Sequence, residues 1–93
     1  MAHRTVVVAS ASGLHARPAK LFVQAAARLG VPVTVRLGEK AVPAKSMLGV
    51  LSLGAVHGAE VTLEADGPRA EEALDSLVAL LSRDLDAEEA LDA

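Results

Sequence analysis

Two hydrophobic periods alternate along these 93 residues, and each change of period marks a new element. Thr5 to Ala9 is β-branched and apolar and suits a strand with a buried face, broken by Ser10-Ala11-Ser12-Gly13. From about Ala16 to Leu29, Ala19, Phe22, Val23, Ala26 and Leu29 recur every three or four residues, the period of an amphipathic helix. Pro18 falls in its first turn, where a missing N–H costs nothing, and Gly30 is placed to cap its end. Val31, Val33, Val35 and Leu37 then alternate with polar positions as a strand does. Gly38-Glu39 signals a turn into a short strand, Lys40 to Ala44, and Pro43 places that strand at a sheet edge.

Ser46 can cap a two-turn helix over Met47-Leu48-Gly49-Val50-Leu51-Ser52-Leu53, ended by Gly54. Glu60 to Ala65 alternates as a strand, and Gly67-Pro68 turns the chain into a last helix. Its stripe is Ala70, Ala73, Leu74, Leu77, Val78 and Leu81, with Glu71, Glu72 and Asp75 facing water. The order βαββαβα predicts an α+β fold: an open-faced sandwich of a four-stranded antiparallel sheet with three helices on one face. Residues 1–93 read as a single domain, with an acidic extension over 85–93 whose pattern fits either a longer last helix or a free tail.

Composition narrows the function. Nineteen Ala, fourteen Leu and twelve Val supply nearly all of the 52% apolar residues, which excludes a disordered chain. Phe22 is the only aromatic, which argues against modules that stack nucleic-acid bases. The lack of cysteine excludes disulfides, thiol catalysis and thiolate metal sites. No stretch approaches the ~20 apolar residues that span a bilayer, and no targeting segment is visible, so a soluble cytoplasmic protein is expected. The net charge of −3 conceals a split. Residues 1–59 carry seven basic residues against Glu39 alone, a balance of +6, and residues 60–93 carry eleven acids against Arg69 and Arg83, a balance of −9. A separation of this size steers partners to one side of a molecule.

The chemistry concentrates in Ser12-Gly13-Leu14-His15-Ala16-Arg17-Pro18-Ala19, a strand-to-helix junction. Free N–H groups and the positive end of a helix dipole make such a junction an anion site. A phosphoryl group on the His15 imidazole would meet the N–H groups of Ala16 and Arg17 and the Arg17 guanidinium. Pro18 fixes the first turn, and Gly13 lets the backbone pass close to whatever binds. The dipole favours a neutral, nucleophilic imidazole. The plainer alternative is a histidine that caps a helix beside an ordinary surface arginine, since no general base or second carboxylate accompanies the pair. His3 and His57 share no ligand spacing with His15, so no metal site is expected.

Gly13-Leu14-His15-Ala16-Arg17-Pro18-Ala19 closely resembles the active-site signature of the HPr family, the histidine phosphocarriers of the phosphoenolpyruvate:sugar phosphotransferase system. Lys45-Ser46-Met47-Leu48-Gly49-Val50-Leu51-Ser52-Leu53 resembles the family's second signature, and the likeness covers about residues 2–84. The resemblance implies that His15 accepts a phosphoryl group from phosphorylated enzyme I and passes it to IIA domains of sugar permeases. Arg17 and the backbone of Ala16 and Arg17 would stabilise that group without metal or cofactor. Such a monomeric carrier turns over only with its partners and does not itself count as an enzyme. Ser46, a helix cap on its own terms, becomes a candidate for regulatory phosphorylation by an HPr kinase/phosphorylase. Met47, Leu48 and Leu51 would form the apolar part of a docking surface, with Lys20, Arg28 and Lys45 as its basic rim. Gln24 and Ala27 depart from the pattern, being uncharged where many members have lysines.

Two competing readings remain at this stage. One is a specialised phosphocarrier of the same fold, such as the nitrogen-related branch. The other is a small interaction module in which His15 and Arg17 bind an anion without covalent chemistry. Nucleic acid and membrane are not expected partners.

Overall fold

Seven elements follow one another in the order β1 (Ala2–Val7), α1 (Ala16–Leu29), β2 (Val33–Leu37), β3 (Lys40–Pro43), α2 (Met47–Ser52), β4 (Glu60–Ala65) and α3 (Ala70–Leu81). The computed structural model describes residues 2–10, 13–14 and 16–83; the acidic extension lies outside the described residues. The strands form one antiparallel sheet in the order β1-β4-β2-β3. The last strand in sequence therefore lies between the first two. Its Leu63 stands opposite Arg4 on one side and Val35 on the other.

Strand alternation sorts the residues into two faces. Val6 of β1, Val33 and Val35 of β2, and Val61, Leu63 and Ala65 of β4 are buried. Thr5, Thr34, Arg36, Thr62 and Glu64 occupy the opposite, open face. Three helices complete the fold on the buried side. Helix α1 contributes Ala19, Phe22 and Ala26, while α3 contributes Ala70, Ala73, Leu74, Leu77 and Leu81, the stripes their periodicity predicts. Val78 alone of the α3 stripe is only half-buried.

Element ends differ from the sequence expectation where pairing overrides propensity. Strand β1 starts at Ala2 and stops at Val7, because every residue from Ala2 to Val7 has an opposite number in β4, from Ala65 back to Glu60. Val8 leaves that ladder for the turn beyond, donating to the Ala59 carbonyl and accepting from the Gly58 N–H, both at 2.9 Å. Strand β2 starts at Val33 instead of Val31: Gly30, at φ 68°, bends the chain, and Pro32 has no N–H to give a ladder. Strand β3 ends at Pro43, one residue early, and is the edge strand that this proline implies. Helix α2 closes at Ser52, with Leu53 as its C-cap and Gly54 following at φ 65°.

The sheet also redistributes charge. Arg4, from the basic half of the sequence, reaches Asp75 at 3.2 Å and Glu71 at 3.5 Å on α3. On the open face, Arg36 pairs with Glu64 at 3.3 Å across two strands. Exposed pairs of this kind add little stability. Their importance is positional: two of the seven basic residues of the first segment are spent inside the acidic one.

Candidate functional site

The loop that carries the first signature is fastened to a distant part of the chain. The Gly13 N–H donates to the Ser10 carbonyl at 2.9 Å, and the Leu14 N–H donates to the Ala55 carbonyl at 2.8 Å. The Leu14 side chain is sunk into the core, 2% exposed. Gly13 has φ 75°, a left-handed conformation that side chains rarely adopt. A Cβ placed there would overlap the Ala55 carbonyl oxygen and lie 2.7 Å from the Val56 Cα. The close approach that glycine permits is thus to the chain's own backbone, whereas the sequence pointed to a ligand. Gly13→Ala should destabilise the fold by about 2–4 kcal/mol, the sum of backbone strain and overpacking. Urea denaturation measures this, and an unchanged midpoint would mean the loop yields freely.

Two residues beyond Leu14 helix α1 begins. Ala16 and Arg17 are its first residues, so their N–H groups belong to the set that has no carbonyl within the helix to bond. Pro18, third in the helix and fully buried, lacks an N–H at a position where none is needed. Arg17 is half-buried, and the first turn contains no acid to neutralise this end of the dipole. His15 lies outside the described residues; covalent connectivity puts it immediately before α1, between Leu14 and Ala16.

Helix α2 carries the second signature. Ser46 has extended backbone angles, φ −97° and ψ 109°, and its Oγ accepts the Gly49 N–H at 3.1 Å, the N-cap geometry its position predicts. Gly49 suits this tight packing, since a Cβ there would meet Val42 Cβ at 3.0 Å and Ser46 Oγ at 3.1 Å. Lys40 secures the other end by donating to the Ser52 carbonyl at 3.2 Å. Val50 is the buried residue of α2; Met47 and Leu51 are half-buried against the core, and Leu48 stands 82% exposed. Lys20, Arg28 and Lys45 are all exposed.

Periodicity gave no sign of Val56, which is 65% exposed and borders Gly13. The available hint was an apolar residue between Gly54 and Gly58, in a segment with no strand or helix pattern. The described histidines stay apart: His3 lies opposite Glu64 in the β1–β4 ladder, and His57 is exposed in the turn before Gly58. Among the described residues no three His, Cys, Asp or Glu are grouped to hold a metal ion. No described helix is long and apolar enough to cross a membrane.

Comparison with known proteins bears on this arrangement. Residues 2–83 match the family model described as the phosphorylation site of the HPr component of the phosphotransferase system. The phosphocarrier protein HPr of Streptomyces coelicolor is 49% identical over 87 residues, covering 92% of this chain and 94% of that protein. Its counterpart in Vibrio cholerae is 40% identical, covering 89% and 98%. The crystal structure of HPr-C-His from Thermoanaerobacter tengcongensis superposes with a TM-score of 0.83 at 43% identity, over 87% of this chain and 91% of the other.

Proposed function

The chain belongs to the HPr family of phosphocarriers of the phosphotransferase system, and from that premise we propose that it accepts a phosphoryl group on His15 from phosphorylated enzyme I and delivers it to IIA domains of sugar permeases. The observation that carries this reading is the family match across the first signature, with Arg17 and Pro18 in an acid-free first turn of α1. Transfer breaks the N–P bond of the donor phosphohistidine and forms one to His15. The nucleophile is the neutral imidazole, so no oxidant, metal or cofactor enters the balance. The charge spread over the three phosphoryl oxygens is met by the Arg17 guanidinium and the N–H groups of Ala16 and Arg17. The protein works as a cytoplasmic monomer that turns over only with its partners, and Ser46 is the residue open to regulatory phosphorylation by an HPr kinase/phosphorylase.

Incubation with phosphoenolpyruvate and purified enzyme I tests the reading. The expected product is one acid-labile, alkali-stable phosphate per chain. Saturable anion binding without covalent phosphate would favour an anion-sensing module instead. Running the assay with a nitrogen-branch enzyme I as well assigns the branch by the faster donor.

Docking contributes a second expectation. The exposed cations Lys20, Arg28 and Lys45 attract an acidic partner surface, so the second-order rate with enzyme I should fall severalfold from low salt to about 0.5 M, where the screening length drops below 5 Å. Stopped-flow transfer rates that ignore ionic strength would show the charge split to be without consequence.

A further inference from the structure

Helix α3 ends where the site begins. The Ser82 N–H and Oγ both close on the Val78 carbonyl, at 2.9 and 2.7 Å, and the Arg83 N–H bonds the Leu80 carbonyl at 3.2 Å. Beside that closing turn runs the segment that leads into the signature loop: the Ala9 N–H donates to the Leu81 carbonyl at 3.1 Å, and Ser10 Oγ donates to the Arg83 carbonyl at 3.5 Å. Ser10 in turn receives the Gly13 N–H. Residue 84 therefore departs next to the loop that opens into α1.

What departs is strongly charged. Residues 84–93 hold Asp84, Asp86, Glu88, Glu89 and Asp92 and no basic residue, with Leu85 and Leu91 as the large apolar positions. The cations available to this segment are restricted by the fold. Arg4 is already paired with Asp75 and Glu71, and Arg36 with Glu64. Arg69 stands at the opposite end of α3, about 18 Å away along twelve residues of helix. The outer face of α3 repels acids through Glu71, Glu72 and Asp75. By contrast Lys20, Arg28 and Lys45 are exposed and form no ion pair among the described residues, and Leu48 offers exposed apolar surface close in sequence to Lys45.

We propose that the acidic segment 84–93 docks on the basic face of its own chain, at Lys20, Lys45 and Leu48, and competes there with acidic surfaces of partner proteins. Ten residues span at most about 33 Å when extended, enough to reach along α1 from the end of α3. A tether this short sets an effective concentration in the millimolar range, so even a weak electrostatic contact is occupied for a substantial fraction of the time. Salt dissolves it. The docking itself rests on charge and chain geometry, while its effect on phosphoryl transfer rests on the phosphocarrier reading above.

The chain has no cysteine, so Ala93→Cys gives a single attachment point for a nitroxide. At low salt the nitroxide should broaden the backbone amide signals of Lys20, Lys45 and Leu48, with recovery at about 0.5 M sodium chloride. A full-length partner variant with Asp84→Asn, Asp86→Asn, Glu88→Gln, Glu89→Gln and Asp92→Asn should lose this selective broadening. Unaffected Lys20 and Lys45 amides, or broadening that survives neutralisation, overturns the docking. In the enzyme I assay the neutralised chain without a label should accept phosphate about two to five times faster at low salt and at the same rate at high salt. Equal rates at low salt overturn the competition. If neither chain accepts phosphate, the phosphocarrier reading fails while the broadening still decides the docking.

Discussion

His15→Ala should abolish acid-labile labelling by phosphoenolpyruvate and enzyme I, and Arg17→Ala should slow it by about 10²–10³ without abolishing it. The two substitutions differ because they remove different things. Without the imidazole there is no nitrogen to form the N–P bond, and a hydroxyl such as that of Ser46 would give an acid-stable ester instead. Without Arg17 the nucleophile remains, together with the N–H groups at the start of α1, but the forked donor that meets the equatorial phosphoryl oxygens is gone. Arg17→Lys should recover part of the loss, since a point charge returns without the fork. Single-turnover rates with phosphorylated enzyme I give the comparison. Undiminished labelling of the His15→Ala chain would move the phosphate to another residue, and unchanged transfer by the Arg17→Ala chain would leave the helix N-terminus as the sole stabiliser.

On stability, the largest single effect should come from Phe22→Ala, at about 3–5 kcal/mol. Phe22 is the one aromatic, fully buried on α1 beneath the sheet, in a core otherwise made of Val, Leu and Ala. Small aliphatic neighbours cannot collapse far enough to refill the space of a phenyl ring, so the transfer loss and the cavity add. Against a typical total of about 5–15 kcal/mol, this brings the chain near its unfolding threshold. The thermal midpoint should drop by at least about 12 °C. A calorimetric shift of only a few degrees would show that the core around α1 repacks.

The sequence disclosed helices more readily than strand ends. Helix α1 and strand β4 have the bounds their patterns predict, because a wide apolar stripe and a clean alternation are local signals. Strand β1 was displaced by three residues since Ala2, His3 and Arg4 have little strand character of their own. They are extended because Ala65, Glu64 and Leu63 stand opposite them, some sixty residues away. Gly13 presents the same difficulty at the site. Its need for glycine comes from the backbone of Ala55 and Val56, which no reading of residues 10–19 can contain. The Ser46 cap was legible because donor and acceptor are three residues apart. The charge split was visible in the composition, but which cations stay available depended on contacts such as Arg4 with Asp75, made only in the folded sheet.

The insertion of β4 between β1 and β2 also sets an order of events during synthesis. Leu14 is held by Ala55, and β1 gains its partner strand only when residues 60–65 exist, so the site is assembled by contacts of long sequence separation. A nascent chain that has emerged only as far as the β2–β3 hairpin already carries the whole first signature but lacks the backbone against which its loop is set. Partners in the cytosol therefore meet a competent phosphate acceptor only after most of the polypeptide has left the ribosome, and unfinished chains do not drain phosphate from the relay.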